Sequence, residues 1–272
     1  MLSLRVAVLT LVTLVGTAVA DPSERTDRSR LYQMIPVAAG GTVYLVLELG
    51  LKDAITPDHC RWCESNAFDT AARSALLWDN VRLANSLSNY TGYLGNPLLA
   101  TGLLIATSAG DDGSDTTRRI YDDLAPVFQA GIVTGVLNQT IKVIAGRRRP
   151  FAQFGGVAVR AKNDVNTSFF SGHTALAFTM ATSSGTVASL RGYRSAPVLW
   201  IGGLTLATAT GYLRIAGDAH YATDVIAGAV VGAAIGILIP LVFHHDVLTD
   251  EGPAPRQIAD REPFMFSFGT AF

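Results

Sequence analysis

The stretch KVIAGRRRP at residues 142–150 places four cations directly after an apolar stretch with the pattern of a helix. Two further polar clusters follow, SGH at residues 171–173 and RIAGDAHYATD at residues 214–224. Each cluster lies where a predicted helix ends or begins, so connecting loops can bring all three to one end of a bundle. The sequence therefore predicts an all-α fold, a multi-helix bundle with one polar site formed at helix ends.

The composition is more apolar than that of an ordinary soluble domain. Of the 272 residues, 49% are hydrophobic and 16% are charged, whereas soluble domains average about 25% charged residues. The net charge of −1 creates no global field that would attract a nucleic acid. We therefore predict no nucleic-acid partner, and the length suits one large domain or one helical bundle.

The first twenty residues have the pattern of a secretory signal peptide. Arg5 supplies a positive charge, residues 6–15 are apolar, and Ala18-Val19-Ala20 forms a small-residue cleavage pattern. An uncleaved membrane anchor is the alternative interpretation. The rest of the chain is divided into an N-terminal apolar segment and link, a core domain and a tail, at residues 21–65, 66–245 and 246–272.

Cys60 and Cys63 are the only cysteines of the chain. A C-x2-C pair can be redox-active, form half of a zinc site or close a short disulfide. A zinc ion would lack ligands here, because only His59 is nearby and no second pair exists. In an exported protein a short disulfide is the favoured prediction, and two free thiols are the alternative.

Apolar periodicity predicts six helices in the core domain. They cover residues 66–83, 93–109, 124–145, 173–190, 197–213 and 221–243. The last contains no charge from Val225 to Phe243 and is long enough to span a membrane, and we expect five to six membrane-embedded helices in all. Gly228, Gly232 and Gly236 predict close helix packing. The acidic stretch 111–123 and residues 151–168 are predicted to be loops, the former solvated and without chemistry.

The polar clusters contain the groups needed to hold a phosphate. Arg149 and Arg214 can each bind phosphate oxygens through two N–H groups, and Lys142 adds a point charge. Ser171 and Gly172 begin a helix whose free backbone N–H groups favour an anion. These five residues are the predicted phosphate-binding residues.

The same clusters contain the groups needed to attack a phosphate. His220 and Asp224 are four residues apart and share one helix face. A carboxylate beside one imidazole nitrogen fixes the tautomer and leaves the other nitrogen to attack. His173 is then available as a general acid. Arg147 and Arg148 are additional cations that we predict to be solvated, with contact to a second phosphate or a lipid headgroup as the alternative.

The motifs K-x6-R-P, S-G-H and R-x5-H-x3-D resemble, in order and spacing, those of the type 2 phosphatidic acid phosphatase (PAP2) superfamily. The resemblance covers about residues 66–240 and is to bacterial membrane lipid phosphatases. It implies that His220 is the nucleophile, that Asp224 orients it, and that His173 protonates the leaving oxygen and later activates water. It also implies a phosphohistidine intermediate and no metal or other cofactor. Phe170 and Leu213 replace the Pro and Ser that usually precede the second and third motifs.

Continuous apolar character in residues 197–213 and 221–243 favours burial in a membrane. The predicted substrate is accordingly a lipid phosphate or diphosphate, such as undecaprenyl diphosphate, lipid A or a glycerophospholipid phosphate. A secreted, soluble class A-type acid phosphatase is the alternative, and a vanadium-dependent haloperoxidase is a less favoured one.

The stretch at residues 34–51 is a poor candidate for a span because it contains Glu48 and two adjacent glycines. Without that span, the site faces the periplasm from a bacterial inner membrane. Arg191 and Arg194, in a loop at the other end, favour the same orientation. A soluble periplasmic protein is the alternative, and the oligomeric state is left open.

Overall fold

A computed structural model describes residues 38–44, 46, 50–109, 116–155 and 164–250. The predicted signal peptide, residues 34–37, 45 and 47–49 of the apolar stretch 34–51, and the tail from residue 251 onward lie outside the described residues.

The described chain is all-α, as the sequence predicts. Its helices are α1 (Ala67–Leu76), α2 (Val81–Asn89), α3 (Asn96–Ala109), α4 (Thr116–Ala145), α5 (Pro150–Gln153), α6 (Gly172–Leu190), α7 (Ala196–Ala216), α8 (Ala222–Phe243) and α9 (His245–Asp250). A π-helical segment, Tyr90–Gly95, joins α2 to α3. Two short helical pieces, at 38–44 and Lys52–Ile55, precede α1.

Helix α6 is the centre of the bundle, and α4, α7 and α8 pack around it. It is buried along most of its length although it is rich in serine and threonine. Most of its hydroxyl groups donate to carbonyls one turn earlier, as Ser184 does to Met180 at 2.8 Å and Thr186 to Thr182 at 2.7 Å. Because most of these polar groups are satisfied within the helix, α6 can be buried without a large desolvation cost.

Glycines on α8 bring that helix close to α6. A Cβ atom at Gly228 would lie 2.7 Å from the Ser171 carbonyl oxygen, and one at Gly232 would overlap the Ala175 carbonyl. The Thr179 hydroxyl donates to the Gly232 carbonyl at 3.0 Å across the same interface. The predicted close packing is therefore confirmed.

The prediction of a single helix over residues 66–83 is wrong, because the helix is interrupted between the end of α1 and the start of α2. Asn80 caps α2, and its side-chain oxygen accepts from the Leu83 N–H at 3.0 Å. The Trp78 N–H donates to the Ala216 carbonyl at 3.1 Å. The N-cap at Asn80 starts a new helix, and the hydrogen bond from Trp78 to Ala216 holds the linking residues in a non-helical conformation.

The solvated loop predicted over residues 111–123 is also wrong from Thr116 onward, where α4 begins. Asp123 is buried, pairs with Arg191 Nε at 2.7 Å and accepts hydrogen bonds from Ser108 and Tyr193, each at 2.6 Å. Burial, with the hydrogen bond to Asp123, raises the pKa of Tyr193 to about 12. Three partners, Ser108 on α3 and Arg191 and Tyr193 in the turn after α6, thus allow this carboxylate to be buried.

Three of the described helices, α4, α7 and α8, are long and apolar enough to cross a membrane, against the predicted five to six. Large apolar side chains are exposed on their outer faces, including Ile201 at 70% and Val230 at 64%. Soluble proteins rarely expose extensive apolar surface of this kind. The helices therefore point to a membrane-associated protein.

The packing of α8 on α6 predicts opposite effects for two glycine substitutions. Gly232→Ala should destabilise the fold by about 1–3 kcal/mol, because the new methyl group overlaps the Ala175 carbonyl. Gly102→Ala on exposed α3, where no atom lies within 4 Å of the new carbon, should be neutral or slightly stabilising. Thermal unfolding of the detergent-solubilised variants measures the difference, and equal midpoints would contradict the packing account.

Candidate active site

The three sequence motifs meet at one end of the bundle. Lys142 lies in the last turn of α4, Ser171 precedes α6, and His220 lies just before α8. Helix α7 ends three residues later than predicted, so Arg214 lies within its last turn instead of closing it.

Arg149 and His220 are in direct contact. Arg149 is fully buried, its Nη1 lies 3.0 Å from His220 Nε2, and the same nitrogen donates to the Ala219 carbonyl at 2.8 Å. Asp164 holds the guanidinium from the other side through its carbonyl at 2.7 Å and its carboxylate at 3.0 Å. A guanidinium can only donate, so His220 Nε2 is the acceptor and carries the lone pair. This is the nitrogen that a nucleophilic imidazole would use.

Asp224 lies beside the other nitrogen of the same imidazole. Its Oδ2 is 3.6 Å from His220 Nδ1, an electrostatic contact that is longer than a hydrogen bond. The same oxygen accepts from the Ser168 hydroxyl at 2.6 Å and from the Tyr221 N–H at 3.0 Å. Asp224 therefore also fixes the start of α8 and the segment before α6.

Arg147, predicted to be solvated, is fully buried and holds Asp224 in place. It donates to Asp224 Oδ1 at 2.5 Å and to Asp69 Oδ2 at 2.6 Å. The prediction fails because the compensating carboxylate of Asp69 lies on α1, far away in the sequence. Arg148 is only partly buried, unlike the arginines on either side of it.

Two aromatic rings enclose the Arg147 guanidinium. The Trp62 and Tyr221 ring centres lie 3.9 Å and 4.3 Å from its central carbon. Cation–π contact and two carboxylates together offset the cost of burying this charge.

The loop around the cysteines is attached to the same segment. A disulfide joins Cys60 to Cys63, with Cα atoms 5.3 Å apart. The Arg61 N–H donates to the Gly146 carbonyl and the Arg148 N–H to the Trp62 carbonyl, each at 3.0 Å. The disulfide loop therefore lies at the end of the bundle that contains the site.

The turn before α6 brings Lys142 close to a helix N-terminus. Ser171 is the N-cap, and its hydroxyl lies 2.8 Å from that of Thr174. A Cβ atom at Gly172 would lie 2.6 Å from Asn138 Oδ1 and 3.5 Å from Lys142 Nζ. A larger residue at this position would have to displace the Asn138 side chain, and the ammonium group of Lys142 reaches the start of α6, where an anion is favoured.

Helix α2 supplies contacts that the sequence analysis missed. Arg214 Nη1 donates to Asn85 Oδ1 at 2.9 Å and to the Ser88 hydroxyl at 3.0 Å. His173 Nε2 lies 2.7 Å from Asn89 Oδ1. The signal that could have identified these residues is their i, i+3, i+4 spacing, which places the three polar side chains on one helix face.

A cavity opens beside these residues, between α4 and α6. Its wall includes Tyr93, Asn138, Gln139, Gly172 and Leu176. Both polar and apolar side chains line this cavity. Through Gly172 the cavity adjoins the predicted phosphate-binding residues.

Within the described ranges, no group of three or more His, Cys, Asp or Glu side chains is arranged to hold a metal ion. The cations of the site are instead the side chains of lysine and arginine.

A sequence model of the PAP2 superfamily matches residues 124–247, a range that contains all three motifs. No curated protein matches the chain significantly. The match, the helical bundle and the meeting of the motifs agree with one another, and the chain belongs to the PAP2 superfamily.

Proposed function

We propose that the protein is a membrane phosphatase that hydrolyses a lipid phosphate or diphosphate through a phosphohistidine on His220. Membership of the PAP2 superfamily indicates phosphatase activity in general. The contact of Arg149 with His220 Nε2 supports the phosphohistidine proposal, because it places the predicted phosphate-binding cation beside the imidazole nitrogen that carries the lone pair.

The proposed reaction has two steps. In the first, His220 Nε2 attacks phosphorus, the bond to the leaving oxygen breaks, and His173 gives that oxygen a proton. In the second, His173 takes a proton from water, the water oxygen bonds to phosphorus, and the bond to His220 breaks. Asp224 stabilises the charge on the His220 ring in the phosphoenzyme.

The phosphoryl oxygens are assigned to the groups that surround the two histidines. Arg149, Arg214 and Lys142 provide positive charge, and the backbone at Ser171 and Gly172 provides the N-terminus of α6. Fixed donors of this kind stabilise the charge that develops on the oxygens in the transition state.

The position of the site supports a lipid substrate. The motifs lie at the ends of helices that include the three candidate membrane spans. A headgroup at the membrane surface would reach this end of the bundle while its hydrocarbon chains remain in the bilayer. The cavity between α4 and α6, with its mixed lining, could receive the part of the substrate next to the phosphate.

The disulfide supports a site that faces the outside of the cell. Disulfides persist in oxidising compartments such as the bacterial periplasm, and Cys60 and Cys63 flank Trp62, which contacts Arg147 next to the site. The proposed location is therefore a bacterial inner membrane with the site on the periplasmic side.

Substitution of either histidine should abolish phosphate release. We expect His220→Ala and His173→Ala each to lower the rate by roughly a thousandfold or more, because they remove the nucleophile and the proton donor. His59→Ala, at an exposed position, is the matched control and should keep full activity. Phosphate release by folded, detergent-purified protein measures the effect, and wild-type activity in His220→Ala would overturn the mechanism.

The lipid proposal predicts a substrate preference. Undecaprenyl diphosphate, phosphatidic acid, phosphatidylglycerol phosphate, lipid A and a water-soluble aryl phosphate would be compared by kcat/KM. We expect one of the lipids to exceed the aryl phosphate, because only a lipid is concentrated at the membrane surface. Equal or better hydrolysis of the aryl phosphate would instead favour a secreted acid phosphatase.

The proposed reaction also needs no metal ion, since lysine and arginine supply its positive charge. A chelator should leave the rate of phosphate release unchanged. Inhibition by the chelator that one added metal reverses would contradict a metal-independent phosphatase.

A further inference from the structure

The ring of His173 is held by residues 89–93, which lie outside the range matched by the family. His173 Nε2 is 2.7 Å from Asn89 Oδ1, the distance of a good hydrogen bond. The Tyr93 ring packs on the imidazole with 4.1 Å between centres, and its hydroxyl lies 3.4 Å from Nδ1. His173 itself is buried, whereas Asn89 is exposed at the rim of the site.

The π-helical segment allows this close approach. A Cβ atom at Gly92 would lie 3.7 Å from His173 Cδ2 and 3.0 Å from Thr210 Cγ2. The Thr210 hydroxyl donates to that of Thr91 at 2.8 Å, which ties the segment to α7. Single π-helical turns occur frequently at functional sites, and here the turn carries the contacts to an imidazole.

The contact with Asn89 determines which nitrogen of His173 exchanges a proton. A side-chain carbonyl oxygen can only accept, so the hydrogen bond requires a proton on Nε2. A neutral imidazole carries one N–H, and its basic nitrogen is then Nδ1. Nδ1 faces Tyr93, which lines the cavity together with Gly172. The basic nitrogen therefore lies next to a residue that lines the cavity assigned above to the substrate.

We propose that Asn89 is a positioning residue that keeps a proton on His173 Nε2 and so assigns acid–base catalysis to Nδ1. The inference rests on the proposed function. In the first step the proton on Nδ1 moves to the leaving oxygen as its bond to phosphorus breaks. In the second step Nδ1 takes a proton from water as the oxygen–phosphorus bond forms and the bond to His220 breaks.

A neutral partner suits this position because cationic side chains already lie at this end of the bundle. Lys142 reaches the start of α6 from α4 and Arg214 lies in the last turn of α7, while the imidazole of His220 precedes α8. Tyr93 is the titratable group that faces His173 from the π-helical segment. The amide of Asn89 fixes the tautomer without adding a charge, whereas a carboxylate there would favour the protonated imidazole.

Leaving-group dependence provides the first test. Asn89→Ala should lower kcat/KM for an alkyl phosphate roughly ten- to a hundredfold. This loss is part of the rate enhancement that general acid catalysis by a correctly positioned His173 provides. The substitution should lower kcat/KM for a nitrophenyl phosphate much less, because that leaving group departs without a proton. Ser86→Ala, at an exposed position of α2, is the control and should match the wild type on both substrates.

The pH profile provides the second test. Asn89→Asp keeps an acceptor for Nε2–H, so it should restore most of the activity that Asn89→Ala loses. Its added charge favours protonated His173, so the alkaline limb of kcat/KM should move upward by about one pH unit.

Two outcomes would overturn the role of Asn89. One is an Asn89→Ala variant that resembles the wild type on both substrates. The other is an equal loss on both substrates together with an unchanged alkaline limb in Asn89→Asp. Failure of the proposed function itself has a different signature, since it requires an inactive wild type or an active His220→Ala.

Discussion

The ion pairs made by the buried guanidinium of Arg147 are the interactions on which the site depends. The guanidinium binds Asp69 of α1 and Asp224 of α8 at 2.6 Å and 2.5 Å, so one side chain connects two distant helices. Removing one partner of such a buried network typically costs about 3–5 kcal/mol, because a charge remains uncompensated. Two residues later, Arg149 contacts His220. One short segment therefore contains both a cation that joins two helices and a cation that contacts the proposed nucleophile.

The same segment connects the chemistry to the environment of the protein. The disulfide loop pairs with it through backbone hydrogen bonds, and Trp62 covers Arg147. Beyond it, the apolar helices α4, α7 and α8 expose hydrophobic side chains on their outer faces. Polar chemistry at the helix ends and an apolar belt around the helices are the arrangement that a phosphatase acting on lipid headgroups would need.

Sequence reasoning succeeded where the pattern is local and failed where partners are distant. Helices α6 and α8 were predictable to within one residue, because the Ser-Gly-His turn, the residues before Arg191 and the long apolar run of α8 mark their ends. The structural role of Arg147 was not predictable, since the arginines of this segment differ mainly in which carboxylate the fold brings to them. Asp123 was misassigned for the same reason, because its partner Arg191 lies beyond two further helices. Asn89 carried no motif, and only the folded chain places it against His173.

Direct detection of the phosphorylated enzyme tests the central claim most sharply. The His173→Ala variant would be mixed with a nitrophenyl phosphate, whose departure needs no proton donor, and quenched in alkali, which preserves phosphohistidine. Peptide mass spectrometry would then locate any phosphoryl group. The account predicts that it is bound to His220 and is absent when His220 is also replaced by alanine. Phosphate release by the wild type, with the phosphoryl group on another residue or on none in the trapped variant, would contradict it.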